Sequence, residues 1–198
     1  MSNWPKVGDS ILAAGSEWET EALLSASFDW FIAYAISYKT AADVVVESVE
    51  ARRSPPDSVG YAVLFLYRHY IEIMLKGLIN IGNMLQFRKG GFPTGTHGIQ
   101  TLWRQCRPLL EAACPEGEKT DTDAVEKVLL EIHVLDPSGE SFRFGERRDG
   151  NPTLPNSTQI SLANLRDVMN RLDGFLSGSY DWMYELLQHQ ADMDSDSY

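Results

Sequence analysis

Apolar residues along this chain recur at three- and four-residue steps, the period of an amphipathic helix, and stretches rich in proline and glycine break the steps. Residues 1–17 carry Pro5, Gly8 and Gly15 without such a period and read as an irregular arm. From Trp18 to Arg53 the spacing of Leu23/Leu24, Ser27/Phe28, Phe31, Ala35 and Tyr38 is helical, and Arg52–Arg53 suit a helix C-terminus. Pro55 and Pro56 stop that helix. A second is expected from about Ser58 to Asn80, followed by the glycine-rich segment "IGNMLQFRKGGFPTGT". A third opens at Thr96 or His97, with Thr96 as its N-cap and a kink at Pro108. The fourth covers "TDAVEKVLLEIHVLD", its first turn acidic as the helix dipole favours. Residues 137–160 form a second long loop with a short extended piece at "SFRF". Ser161 caps the last helix, and residues 189–198 are expected to be a disordered acidic tail. The whole reads as an all-α bundle of about five helices with two long loops, one domain over residues 18–188.

The stretch "LYRHYIEIMLKGLI" has a second pattern inside its helical one. On a helical wheel, Val63, Leu66, Tyr67, Tyr70, Ile71, Ile73, Met74, Leu75 and Leu78 fill an arc of roughly 200°. Arg68, His69, Glu72 and Lys76 share the remaining arc of roughly 100°, joined near its ends by Phe65 and Ile79. An apolar arc that wide suits a central helix, so its polar strip is expected against a neighbour or a pocket rim. Arg68 with Glu72, and Glu72 with Lys76, stand at contact spacing and predict a salt-bridged strip.

Composition narrows the setting. The 198 residues are 43% hydrophobic and 23% charged, enough apolar material for one globular core. The net charge of -11 repels phosphate backbones and disfavours non-specific nucleic-acid binding unless the cations converge. RNA contact would require Arg68, Lys76, Arg88, Lys89, Arg143, Arg147 and Arg148 to meet; scatter among carboxylates is the expectation. Cys106 and Cys114 are the only cysteines, about 12 Å apart if on one helix, too far to bridge. They point to a reducing, cytoplasmic setting. No signal-peptide pattern, no run of about 18 apolar residues and no metal-type Cys/His spacing is present, so no membrane, metal or cofactor is expected.

Candidate chemistry outside the strip is sparse. His97, opening the third helix, is the natural proton carrier but is expected to hydrogen-bond the strip. His133, among Leu129, Leu130, Ile132 and Leu135, reads as a core-edge residue. Arg143, between Phe142 and Phe144, is placed either to fork onto a carboxylate or phosphate, or to pair with Glu72 or another helix carboxylate. "GGFPTGT" lacks the Gly-Lys-Ser/Thr ending of a phosphate-cradling loop. Trp30 on the first helix is a spare aromatic for a dimer contact.

"LYRHYIEIMLKGLI", then "THGIQTLW", then "LDPSGESFRF" with "DGNP" before a final helix, resembles small bacterial proteins with HEPN-like helical bundles over roughly residues 60–180. The resemblance implies an all-α bundle, frequent dimerisation or a protein partner, and activities from metal-independent ribonuclease to inactive binding domain. Catalytic members carry an arginine, four to six residues, then a histidine. None of His69, His97, His133 and His189 has that arginine. The implied function is therefore a non-catalytic binding or regulatory module of a bacterial defence or toxin-type system. The alternative is a divergent endoribonuclease using Arg68, His69, His97 and Arg143.

Overall fold

The computed structural model describes residues 4–11, 15, 17–24, 30–86, 91–146, 150–154 and 158–195. It divides into two compact units, Met1–Trp30 and Phe31–Tyr198. The first is built from turns: the Asp9 carboxylate accepts the Lys6 backbone N–H at 2.7 Å, and Trp18–Thr20 make one turn of 3-10 helix. The helix expected from Trp18 starts instead at Trp30, and residues 21–24 have no regular structure. Leu23 and Leu24 are 93% and 92% exposed. A helical stripe with no surface to bury it against gains too little to repay its nucleation cost. Ser27 and Phe28 lie outside the described residues.

The second unit is all-helical among the described residues. Helix α1 (Trp30–Glu50) turns its face of Phe31, Ala35, Ala42 and Val46 into the core. It ends three residues before the expected Arg53, where Arg52 adopts a left-handed φ of 56° and the Arg53 N–H bonds back to the Ser48 carbonyl at 2.8 Å. Helix α2 (Pro56–Leu85) is longer than its pattern suggested at both ends. Pro56 sits in its first turn, where the missing N–H costs nothing. Gly82 lets it run past Asn80, because a Cβ there would lie 2.8 Å from the Leu109 Cβ. A Cβ on Gly77 would likewise overlap the Phe31 ring. The glycines are thus close-approach points of helices, not breaks.

Helix α3 (Ile99–Ala113) packs on α2, α4 (Lys119–Leu135) on α3, and α5 (Leu162–Ser195) on α2. Helix α2 is the hub, with both walls of its wide apolar arc covered. The N-cap of α3 is Gly98 rather than Thr96, without a side-chain cap. Ser161 does cap α5, its Oγ accepting the Asn164 N–H at 3.3 Å. The tail expected to be disordered from 189 is helical to Ser195, because Leu187 packs on the core and Gln190 donates to the Leu85 carbonyl at 3.4 Å. Residues 196–198 lie outside the described residues. "SFRF" is a turn, not an extended piece, with the N–H groups of Arg143 and Phe144 both on the Glu140 carbonyl at 3.0 Å. No helix is long and apolar enough to cross a membrane among the described residues.

Candidate functional site

The polar strip of α2 separates in space into two sites of different character. Arg68 and Glu72, one helical turn apart, are 3% and 4% exposed. The Arg68 Nη1 donates to Glu72 Oε2 at 2.8 Å, and Lys76 Nζ donates to Glu72 Oε1 at 2.8 Å from one turn further on. His97, just before α3, donates from Nδ1 to the same Oε1 at 2.8 Å, while its own carbonyl accepts Arg68 Nη2 at 2.5 Å. Burial by itself would raise the Glu72 pKa. Hydrogen bonds from Lys76, Arg68 and His97 outweigh it and hold the carboxyl at about 2.

The remaining face of Arg68 meets the end of α4. Asp136, fully buried, places Oδ2 2.9 Å from Arg68 Nε, while the N–H itself points nearer the Asp136 carbonyl oxygen at 3.5 Å. Oδ2 makes no hydrogen bond, so the attraction there is ion pairing. Asp136 Oδ1 accepts the Ser141 N–H at 2.9 Å, which folds the following loop back. Gly139, at φ +83°, packs flat on the guanidinium: a Cβ there would lie 3.0 Å from Arg68 Nη2. Thr153 ties the far side, donating to the Phe144 carbonyl at 2.7 Å. The segments "LYRHYIEIMLKGLI", "THGIQTLW" and "LDPSGESFRF" therefore meet around one buried guanidinium.

Asp136 was not singled out from sequence, although a signal was present. A carboxylate at the C-terminal end of a helix opposes the helix dipole and calls for a cation. The histidine reading did hold: His97 hydrogen-bonds the strip, with its side chain 63% exposed. His133 is partly buried at the core edge, its Nδ1 buried without a hydrogen-bond partner.

His69 and Arg143 belong to the second site. One residue on from Arg68, His69 points a third of a turn away, toward α1 rather than α3. Its ring meets Tyr38 edge-on at 4.4 Å and stacks on Phe65 at 5.7 Å and 9°. Burial, first of the causes, lowers its pKa below 6.5; nearby Glu72 opposes this, and Arg68, Lys76 and Arg143 add to it. Arg143 does not pair with Glu72. Its Nε donates to the Gly139 carbonyl at 2.8 Å, and its guanidinium sits 6.0 Å from the Phe65 ring centre and 5.4 Å from that of Phe144. Among the described residues no carboxylate lies within ion-pair distance of it. The row continues through Tyr38 to Tyr34, 6.5 Å apart. Tyr34 and Phe144, at its two ends, are 53% and 57% exposed. The result is an aromatic face carrying a guanidinium that no carboxylate among the described residues pairs.

Two further polar ties are structural. Tyr67 and Tyr70 donate to Asp43 and Asp173, each at 2.5 Å, with Lys39 bridging the two carboxylates. Arg107 ties α3 to α4 through Asp123 and Glu126, and pairs with Glu111 one turn along α3. Of the cations whose convergence RNA binding would need, Arg68 is buried, Lys76 is paired and Arg143 is exposed. Arg88, Lys89, Arg147 and Arg148 lie outside the described residues, as does the Trp30 side chain. No group of three or more His, Cys, Asp or Glu is arranged to hold a metal ion among the described residues. Comparison with protein-family models, with curated proteins and with solved structures finds no match.

Proposed function

We propose that this chain is a HEPN-like binding or regulatory module without catalytic activity of its own. The bacterial defence or toxin-type setting rests on the resemblance of its three motif segments. The observation that carries the non-catalytic reading is the engagement of the buried Glu72 carboxylate by three donors. A general base needs a pKa near the operating pH. Both Glu72 oxygens accept from Arg68, Lys76 and His97, and the carboxyl is held far too acidic to take up a proton near neutrality. Arg68, at 3% exposure and bonded on every side, has no surface to offer a phosphate. The strip therefore works as a lock. Among the described residues, the face of Tyr38, Phe65, His69, Arg143 and Phe144 offers a partner aromatic rings and a cation of the kind that dominates binding energies.

One observation favours the ribonuclease alternative. His97 is bonded to Glu72 through Nδ1, which orients the ring and leaves Nε2, on an exposed side chain, without a hydrogen bond among the described residues. That nitrogen could draw a proton from a ribose 2′-hydroxyl. Incubating the purified chain with total RNA, without metal, alongside His97→Ala and His69→Ala, decides between the two. The expected result is intact RNA in all three. Cleavage by the parent that disappears in His97→Ala overturns the non-catalytic reading.

A further inference from the structure

At the opposite end of α3 from the lock, a separate cavity of about 270 Å³ lies where α3 ends, α4 begins and α5 passes. Leu110, Phe175, Trp182 and Met183 form its apolar lining. On a share of about 30 Å³ per water-sized group it holds a ligand of roughly nine non-hydrogen atoms. Trp182 donates from Nε1 to the Ala113 carbonyl at 3.3 Å, which anchors the indole at the last turn of α3 while the residue stays 48% exposed. An anchored, half-exposed tryptophan in a cavity wall offers a fixed apolar surface for the ring of a ligand.

Charges at the cavity are unequal. Glu111 pairs with Arg107 at 2.8 Å, a guanidinium it shares with Asp123 and Glu126. Glu118 and Asp121 are in no ion pair among the described residues, Glu118 taking only the Thr120 hydroxyl at 3.3 Å. Lys119 is the one cation of the lining. Two free carboxylates thus face one ammonium, and the carbonyls ending α3 add partial negative charge against the positive start of α4. The larger hollow along α3 and α4, about 800 Å³, is an open groove whose Arg107 is already paired with Glu126 and Asp123.

The geometry points to a binding site for a small organic cation with an aromatic body, an arylalkyl ammonium, its ring among Phe175, Trp182 and Leu110 and its charge toward Glu118 and Asp121. This site is independent of the aromatic face proposed above.

The cavity contains its own reporter. Cys114 lines it and is exposed, whereas Cys106 is fully buried, so Cys114 is the accessible thiol of the two. Alkylation of the full chain by iodoacetamide, followed by mass spectrometry, is measured alone and with 2-phenylethylammonium, phenylacetate or 2-phenylethanol. The cation is expected to slow Cys114 alkylation saturably, and the anion and the neutral alcohol to leave it unchanged. Trp182→Ala should abolish the protection. Glu118→Gln with Asp121→Asn, both exposed positions, should raise the half-protecting concentration about tenfold and keeps the test decisive if Trp182→Ala unfolds. No protection by the cation at millimolar concentration, equal protection by the alcohol or the anion, or protection unchanged in the double variant overturns the proposal.

Discussion

Replacing Arg68 by methionine would keep much of the apolar stem and remove the guanidinium. Asp136 would then be a fully buried carboxylate with no cation. Glu72 would keep Lys76 and His97 but lose one of its three donors. The His97 carbonyl would lose its donor as well. Removing one member of a buried ion pair costs about 3–5 kcal/mol, because the survivor stays buried and uncompensated. At about 2–4 °C per kcal/mol for a chain of this size, the melting temperature should fall by roughly 6–20 °C. The assay is urea unfolding followed by circular dichroism, run on Arg68→Met, Asp136→Asn and the double variant. Because most of the cost is the stranded charge, Asp136→Asn should recover part of it in the Arg68→Met background, giving a coupling of about 1–3 kcal/mol between the sites. Limited proteolysis should also open the loop after Asp136, whose fold hangs on Ser141 and Gly139 around the guanidinium. An Arg68→Met variant within about 1 kcal/mol of the parent, or strict additivity of the two changes, would refute the account of the lock.

Three further outcomes follow from the same geometry. Glu72, held at about 2 against an ordinary 4.5, binds protons more readily when unfolded, so its contribution of about 3 kcal/mol is complete above about pH 5 and disappears as pH falls through 4.5 toward 2. Glu72→Gln should flatten that limb of an acid titration of stability; an unchanged acid limb counts against the network. His69, lowered from 6.5 by burial, also loses stability with falling pH, but from near pH 6.5, and His69→Gln should remove that shallower step from the same titration. Gly139→Ala must place a side chain at φ +83° and 3.0 Å from Arg68, so equilibrium unfolding should register a loss above about 1 kcal/mol; a neutral effect would mean the loop does not rest on the guanidinium.

The helical period by itself determined that this chain is an all-α bundle and that α2 is its centre, because an apolar arc wider than one contact surface requires neighbours on more than one side. It also determined the Arg68–Glu72 and Glu72–Lys76 pairs, since residues four apart on a helix touch whatever else the chain does. Tertiary structure decided the rest. His97 reaches Glu72 across 25 residues and Asp136 reaches Arg68 across 68, and no local pattern encodes contacts at those separations. The helical period already sets the neighbours Arg68 and His69 about 100° apart, at the two edges of one strip. Tertiary structure decided what each edge meets, a buried lock for Arg68 and an aromatic face for His69. Leu23 and Leu24 show the converse limit: their spacing is helical, but amphipathic spacing yields a helix only where the apolar face is buried, and both side chains are exposed.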